Sequence, residues 1–347
     1  MVQSASAATS HRQSNILVRI LAIGIGVGPP RHPDVREALR AKGIARVLGA
    51  LIVMKIMRLI RQRFPASRAH GGGRGATNEQ LGASPCPSPE DAFPRVIFQT
   101  WKSKHVMPPH FARWSETFRQ VHPQWAYLLW DDADNRRFIE THYPWFIDLY
   151  DAYPQEIYRA DAVRYFFLYH FGGLYADMDT QCIRGMEAMF ESGDVWLGRM
   201  GQDCHFPHSI PNAMMAARRR QEFWLIVIAM LVDNAHAMRS GALDAGPATV
   251  TGPILLKKAF DFYAQAEPAA VRSMVHGIAS RLPPALQPEP KPSNVVLLPA
   301  PQWYPLDWTN IIHLRFAREA VHVPIAAALA RWLFPRSHLV TYWTHSW

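Results

Sequence analysis

The sequence contains little cysteine and no hydrophobic run long enough to cross a membrane. Three of its 347 residues are cysteines, and Cys86, Cys182 and Cys204 form no C-x-x-C pair. An odd number without that spacing argues against a disulfide framework and a structural zinc site, and favours a reducing compartment. The apolar residues 16–27 are interrupted by Arg19 and are shorter than the roughly 20 residues that a membrane-spanning helix needs.

Three common catalytic signatures are also missing. The sequence has no G-x-x-x-x-G-K-[ST], no G-x-G-x-x-G and no G-x-S-x-G. Their absence leaves P-loop phosphate chemistry, dinucleotide-dependent redox chemistry and the serine hydrolase nucleophile elbow without support.

Positive charge is concentrated at the amino-terminal end. The formal net charge of the chain is +9. Residues 1–75 hold 13 Lys and Arg against two acidic residues, whereas the remainder holds 24 basic and 26 acidic residues. A nucleic-acid-binding domain carries its basic excess on its folded surface. We therefore expect no nucleic-acid partner for the main body of the chain.

Composition divides the chain into three regions. Residues 1–64 form a basic arm, in which residues 44–64 alternate Lys and Arg with Ile, Met and Leu. This pattern predicts a basic amphipathic helix that either lies on an anionic membrane surface or packs on the protein body. Residues 65–92 are rich in Gly, Ser, Pro and Ala and predict a disordered linker. Residues 93–347 predict the folded domain.

Within that domain, strand and helix patterns alternate. The predicted strands cover residues 95–101, residues 125–130, the short apolar segment before Asp177, residues 195–198 and residues 294–298. The predicted helices cover residues 114–121, 134–150, 155–171, 222–238 and 251–266. This order predicts an α/β fold with a mostly parallel sheet. Ligands of such sheets bind beyond the carboxyl ends of the strands, where Trp101, Asp131 and the segment around Asp177 are expected.

Residues 170–180 have the sequence HFGGLYADMDT, in which a Gly-Gly turn leads into a short apolar strand that ends at two aspartates. Side chains at i and i+2 of an extended chain point to the same side, so Asp177 and Asp179 can share one cation. Carboxylate oxygens suit Mg²⁺ or Mn²⁺. An Asp-x-Asp pair alone is common by chance, and the surrounding turn, strand and aromatic helix strengthen the assignment.

The preceding helix carries a charged pair among apolar residues. Asp161 and Arg164 are three residues apart and share a helix face, which permits an ion pair. Such a pair contributes little on a surface. In an otherwise apolar helix it is costly unless it serves a site, and we therefore favour a functional role.

Residues 158–179, YRADAVRYFFLYHFGGLYADMD, resemble the sugar-donor signature of glycosyltransferase family 32. Residues 93–102, FPRVIFQTWK, resemble the first strand of that family, with Phe98 where a His is usual. Residues 342–347, YWTHSW, resemble its closing element in compressed form. The family includes mannosyltransferases of outer-chain and inositol-phosphoceramide synthesis and capsular-polysaccharide transferases.

The resemblance implies a glycosyltransferase-A fold, with residues 93–347 as the catalytic domain and helices flanking a mostly parallel central sheet. It implies transfer of a sugar from a UDP- or GDP-linked donor to a polysaccharide or glycolipid, with retained anomeric configuration and Mn²⁺ or Mg²⁺ as cofactor. We expect such an enzyme in the cytoplasm, peripheral on the inner membrane face.

The resemblance also assigns roles to individual residues. Asp161 and Arg164 would bind sugar hydroxyls, and Trp101 would lie against the base. Asp177 would contact ribose or a metal-bound water, and Asp179 would bind the metal. The implied nucleotide-sugar-binding set is Gln99, Thr100, Trp101, Asp161, Arg164, Asp177, Asn212, Ser346 and Trp347. The implied metal ligands are Asp179, Asp177 and His345.

Two other classes of function remain open from the sequence. A metal-dependent hydrolase could use the same two aspartates, although it normally needs further ligands nearby. A non-catalytic, membrane-associated carbohydrate-binding protein could keep the fold without the metal.

Overall fold

The computed structural model describes residues 48–52, 54–55 and 93–344. The chain divides into two compact units. The described residues of one unit are 93–307 and 334–344, and those of the other are 48–52, 54–55 and 308–333. The predicted folded domain therefore spans both units. The predicted linker, most of the basic arm, and the predicted site residues His345, Ser346 and Trp347 lie outside the described residues.

The larger unit is built on a sheet of six strands. Eight strands are present in the described chain: β1 (Val96–Thr100), β2 (Ala126–Trp130), β3 (Gly173–Ala176), β4 (Thr180–Cys182), β5 (Val195–Gly198), β6 (Met214–Ala217), β7 (Val295–Leu298) and β8 (Leu339–Thr341). The six-stranded sheet has the order β2-β1-β3-β6-β5-β7. β1 runs parallel to β2 and β3, β5 runs parallel to β7, and β6 alone is antiparallel to its neighbours. The predicted α/β class with a mostly parallel sheet is confirmed.

Besides the helical residues 48–52 and 54–55, eleven α-helices of the described chain lie between these strands. In chain order they are α1 (Pro109–Val121), α2 (Asp132–His142), α3 (Ile147–Asp151), α4 (Glu156–His170), α5 (Glu222–Arg239), α6 (Pro247–Val250), α7 (Pro253–Gln265), α8 (Pro268–Ala279), α9 (Ala300–Trp303), α10 (Ile311–His322) and α11 (Ala327–Leu333). The single helix predicted over residues 134–150 is wrong, because the chain leaves the helix at Tyr143, before Pro144. A residue that precedes proline is disfavoured in helical conformation.

Strand β6 had no sequence signal. Its residues, two methionines and two alanines, have little strand preference. The strand exists because it pairs with β3 on one side and β5 on the other, which satisfies its backbone groups in the buried centre of the sheet.

Helix α4 passes through the core and leads into β3. Almost all its residues from Tyr158 onward are buried, as expected for a helix that is apolar on most sides. The chain then reverses at Gly172 and Gly173, where φ is +64° and +88°. A Cβ atom at Gly173 would lie 2.5 Å from Val96, so only glycine fits this turn.

A second, two-stranded sheet brings distant parts of the chain together. β4 pairs antiparallel with β8, with Thr180 opposite Thr341 and Cys182 opposite Leu339. Because β4 begins directly after Asp179, this pairing places residues 341–344 beside that aspartate. The segment had been expected near the site only through the family resemblance.

The smaller unit contains α10 and α11. Asn310 caps α10, since its side-chain oxygen accepts hydrogen bonds from the backbone N–H groups of Ile312 and His313. Phe316 and Ala317 on this helix are buried.

The described part of the predicted amphipathic helix also belongs to the smaller unit. Residues 48–52 and 54–55 are helical, and their apolar side chains Leu48, Leu51 and Met54 are buried while Lys55 is exposed. These apolar side chains are already covered and are not available to a lipid surface. Among the described residues, no helix is both long and apolar enough to cross a membrane.

Candidate functional site

The candidate site lies at the carboxyl edge of the sheet, where β1, β2 and β3 end together. Asp177 follows β3 directly, and its backbone carbonyl accepts a hydrogen bond of 3.0 Å from the Gln99 side chain of β1. Its backbone N–H donates to Ala213, just before β6. Two neighbouring strands therefore hold the backbone at Asp177 in place.

The Asp177 carboxylate faces a cation and a hydroxyl. Its Oδ1 accepts hydrogen bonds from Arg164 Nη1 at 3.1 Å and from the Tyr175 hydroxyl at 2.8 Å. The side chain is 20% exposed. Burial raises the pKa of Asp177 to about 7, with Arg164 opposing the shift and Asp179 adding to it. Asp177 thus lies at the boundary between the protein interior and an accessible surface.

Arg164 joins the buried Asp161 to the partly exposed Asp177. Its Nη2 lies 3.0 Å from Asp161 Oδ1, and its Nη1 bonds to Asp177 and to the Asn212 carbonyl. Its Nε donates to the Ala160 carbonyl, and its side chain is only 1% exposed. Burial lowers the pKa of the Arg164 guanidinium, but the nearby acidic groups outweigh this effect, so the guanidinium stays charged. The predicted ion pair with Asp161 is present, and it extends to Asp177.

Asp161 lies at the inner end of this network. Its Oδ1 also accepts a hydrogen bond of 3.0 Å from the Asn212 amide, and its Oδ2 faces the Thr251 hydroxyl at 3.5 Å. Burial raises the pKa of Asp161, while Arg164 and the two hydrogen bonds act against that rise. The structure thus brings Asn212, predicted as a donor-binding residue, directly onto the Asp161–Arg164 pair.

Asp179 is held by a different part of the chain. Its Oδ2 accepts hydrogen bonds from the backbone N–H of Thr344 at 2.7 Å and from the Thr344 hydroxyl at 3.1 Å. Its Oδ1 accepts from the Thr341 hydroxyl at 3.2 Å. Its backbone carbonyl accepts from Tyr342 N–H at 2.9 Å. All four donors are neutral and belong to residues 341–344.

The predicted base-binding segment on β1 is largely buried. Gln99 accepts a hydrogen bond from the Tyr127 hydroxyl in addition to its bond to Asp177, and Thr100 accepts one from Asn135. Trp101 packs edge-on against Phe111, and its indole N–H donates to the Val106 carbonyl. Gln99 and Thr100 thus contact the protein framework of the site. Their contact with a nucleotide, and that of Trp101, stay predictions.

The extended geometry predicted for Asp177 and Asp179 is wrong, because the chain turns at residues 178–179 and the Thr180 N–H donates to the Asp177 carbonyl. The two aspartates after β3 nevertheless suit a divalent cation of the Mg²⁺ or Mn²⁺ class by their chemistry. They supply carboxylate oxygens, the ligands that such cations prefer. Within the described residues, no cluster of three or more His, Cys, Asp or Glu side chains could hold a metal ion. Mg²⁺ commonly takes one or two carboxylates from the protein and further oxygens from substrate phosphates, so two aspartates are a sufficient protein contribution. The predicted ligand His345 lies outside the described residues.

Three residues of the site were missed by sequence reasoning. Tyr175 is one of them, although it is two residues before Asp177, and on a strand the side chains at i and i+2 point to the same side. That spacing was a usable signal. Thr341 and Thr344 had no such signal, because the β4–β8 pairing alone brings them to Asp179.

Residues 108–198 match a family model described as "Glycosyltransferase sugar-binding region containing DXD motif". This range includes Asp161, Arg164, Asp177 and Asp179. Residues 108–198 are therefore similar to a glycosyltransferase sugar-binding region of the DXD type, which confirms the resemblance found in the sequence. The match agrees with the glycosyltransferase-A fold expected for the α/β sheet.

Named relatives match over part of their length. Inositol phosphoceramide mannosyltransferase 3 of Schizosaccharomyces pombe is 38% identical over 137 residues, which cover 40% of this chain and 36% of the relative. Mannosyl phosphorylinositol ceramide synthase CSH1 of Saccharomyces cerevisiae is 34% identical over 144 residues, which cover 42% and 36%. The chain thus spans little more than a third of the length of these relatives.

Among solved structures, the chain resembles one titled "PaToxG Glycosyltransferase", with a TM-score of 0.36 and 14% sequence identity. The match covers 71% of this chain and 89% of that chain. A likeness at this level supports no argument about the site.

Proposed function

We propose that this chain is a metal-dependent glycosyltransferase that moves a sugar from a nucleotide-diphosphate donor to a glycolipid or polysaccharide, with retained anomeric configuration. The observation that carries the proposal is the pair Asp177 and Asp179 at the carboxyl edge of the sheet, inside the matched sugar-binding region. Mannose is the first sugar to test, because the named relatives are mannosyltransferases.

The proposed roles follow from the surroundings of each aspartate. Asp179 faces only neutral donors among the contacts described above, so its negative charge is available to a cation. Asp177 and Asp161 share the positive charge of Arg164, which fixes both carboxylates in position. A bound Mn²⁺ or Mg²⁺ would neutralise the negative charge that develops on the diphosphate leaving group.

Asp161 is the proposed sugar-binding group. Its carboxylate pairs with Arg164 and has Asn212 and Thr251 as further partners. A fixed carboxylate can accept hydrogen bonds from sugar hydroxyls without first reorganising, and preorganised groups of this kind lower the barrier most effectively. Arg164 itself has most of its donors engaged inside the protein, so we assign it a positioning role.

The acceptor and the location are further parts of the proposal. Two relatives carry inositol phosphoceramide or its mannosylated product in their names, and this suggests a membrane glycolipid as acceptor. Such an acceptor would place the enzyme at a membrane surface, and we propose a peripheral position on the cytoplasmic face.

The direct test is nucleotide release from a panel of UDP- and GDP-sugars, including GDP-mannose, with Mn²⁺, Mg²⁺ or a chelator. We expect release with one donor only when the metal is present. Asp179→Asn should lower that rate by about 10³-fold, because the metal contribution to such a transition state is worth several kcal/mol. Asp233→Asn, on an exposed position of α5, is the matched control and should keep the wild-type rate.

The products separate the proposed transferase from the other two classes. Sugar transferred to inositol phosphoceramide in detergent micelles, with the configuration of the donor, supports the proposal. Free sugar without transfer to any of a set of glycolipid and glycan acceptors would indicate a hydrolase. Donor binding without release would indicate a binding protein. Full activity of Asp179→Asn, shown to be folded by its thermal unfolding curve, would refute the metal role.

A further inference from the structure

Large exposed apolar side chains are concentrated in the smaller unit. In the described part of the chain, they are Val106, Ile311, Leu329 and Trp332. Ile311 and Trp332 are each 57% exposed and Leu329 is 38% exposed. Three of the four thus lie within residues 308–333. Single exposed apolar residues are ordinary on soluble proteins, but a local concentration usually marks an interaction surface.

The same unit is basic. Residues 308–333 contain Arg315, Arg318 and Arg331 and only one acidic residue, Glu319. The larger unit is close to neutral by comparison, with 20 basic and 22 acidic residues in positions 93–307. The exposed apolar side chains therefore occur in a part of the described chain that carries a net positive charge.

On α10 the basic residues form one exposed row. Ile311, Arg315, Arg318 and His322 follow one another at intervals of four, three and four residues and are all exposed. Residues at these spacings lie on a single helix face. The opposite side of α10 holds the buried Phe316. Helix α10 therefore exposes the face that carries Arg315, Arg318 and His322 and buries the side that carries Phe316.

On α11 the exposed residues include a tryptophan. Leu329, Arg331 and Trp332 are exposed, while Ala330 and Leu333 are buried. Tryptophan favours the boundary between lipid headgroups and acyl chains, because its ring is apolar and its N–H is polar. Arginine beside it can reach lipid phosphates.

We propose that the exposed face of residues 308–333 docks on an anionic lipid bilayer. We call the exposed side chains of Ile311, Arg315, Arg318, Leu329, Arg331 and Trp332 together the basic-apolar surface. Arginine near an anionic membrane and tryptophan at its interface act together in peripheral binding. A second copy of the chain fits less well, because like-charged surfaces repel at a self-contact.

This assignment differs from the one that the sequence pattern suggested. The pattern of residues 44–64 predicted a helix that either lies on a membrane or packs on the protein body, and the apolar side chains Leu48, Leu51 and Met54 described in that segment are buried. The basic-apolar surface has both chemical components exposed. The proposal does not depend on the enzymatic activity, and its test uses neither sugar donor nor acceptor.

The first test is co-sedimentation of the full chain with phosphatidylcholine vesicles, with or without roughly 30% phosphatidylserine. We expect binding only to the anionic vesicles, and binding that weakens in ~0.5 M salt. Arg315→Glu with Arg318→Glu should weaken binding by about tenfold or more, since each arginine near such a surface contributes roughly fivefold. Trp332→Ser should weaken it several-fold.

The matched control carries the same charge change elsewhere. Arg239→Glu with Arg272→Glu alters two exposed arginines of α5 and α8 and leaves the basic arm of residues 1–75 untouched. This control should bind within about twofold of the wild type, a loss expected from overall charge alone. Equal losses in the two double variants would overturn the proposal, because the effect would then be one of net charge.

The second test measures which residues of the wild-type chain contact the vesicles. Hydrogen–deuterium exchange should show slower exchange in peptides covering residues 308–333 when anionic vesicles are added, with no change in peptides of α5. Protection confined to residues 1–75 would overturn the proposal. Slower exchange of residues 308–333 at higher protein concentration without vesicles would also overturn the proposal. A second copy of the chain would then be the partner that covers this surface.

Discussion

The two aspartates of the site differ in what holds them, although only one residue separates them. Asp177 is bound by Arg164 and Tyr175, which lie in the same continuous stretch of α4 and β3. Asp179 is bound by Thr341 and Thr344, more than 160 residues further along the chain. The side-chain partners of the Asp177 carboxylate are thus close to it in sequence, whereas Asp179 depends on the carboxyl-terminal segment.

The partners also differ in charge. Arg164 is a buried cation that two carboxylates share, whereas Thr341 and Thr344 offer only hydroxyl and amide donors to Asp179. A divalent cation binds best to a carboxylate that no positive side chain has already neutralised. The comparison shows that a short motif holds two carboxylates in different surroundings: Asp177 beside a buried cation, and Asp179, the proposed metal ligand, among neutral donors only.

The strongest test of the comparison removes the shared cation. Arg164→Met should lower the free energy of unfolding by about 3–5 kcal/mol, because it leaves Asp161 and Asp177 buried without their positive partner. Urea denaturation of the two proteins measures the difference.

A matched arginine on the surface provides the control for this experiment. Arg136 pairs with Asp151 and Glu140 on an exposed face, and Arg136→Met should leave the urea midpoint close to that of the wild type. If the two substitutions lower the stability by the same amount, the ion pairs of Arg164 contribute no more to stability than those of an exposed arginine. The inner network would then have no special role in holding the fold together.

A smaller effect is expected from the hydroxyl that binds Asp177. Tyr175→Phe removes one hydrogen bond to a charged group and keeps the ring that packs beside Arg164, so it should cost about 1.5–3 kcal/mol of unfolding free energy. Denaturation again provides the measurement. A cost near zero would mean that Arg164 alone positions Asp177.

The smallest effect on stability is expected at the outer corner. Thr344→Val removes the hydroxyl that binds Asp179 but keeps the backbone N–H bond, so it should cost about 1 kcal/mol or less. The affinity for Mn²⁺ in the presence of UDP or GDP, measured by calorimetry, should fall by about tenfold, as for other groups that orient a metal ligand.

Thr344→Ser restores a hydroxyl and should recover most of the Mn²⁺ affinity. Tyr175→Phe should change that affinity less than Thr344→Val does. The reverse order would show that Asp177, and not Asp179, is the main metal-binding carboxylate.

Much of the fold could be predicted because its signals are local. The strand before Trp101, the buried helix around Arg164 and the Gly-Gly turn all follow from apolar patterning and glycine chemistry in short windows. Of the two errors, one concerns a local signal and the other does not. Helix α2 ends before Pro144, which the sequence itself indicates, whereas β6 is a strand only because β3 and β5 lie on either side of it.

The sequence by itself determined the α/β class, the position of Asp177 and Asp179 at a strand exit, and the pairing of Asp161 with Arg164, because each depends on residues less than one helical turn or one strand apart. Only the tertiary structure decided that Arg164 reaches Asp177, that Asn212 joins Asp161, and that Thr341 and Thr344 hold Asp179. These contacts join segments separated by up to 165 residues, and they form only after the sheets have brought those segments together.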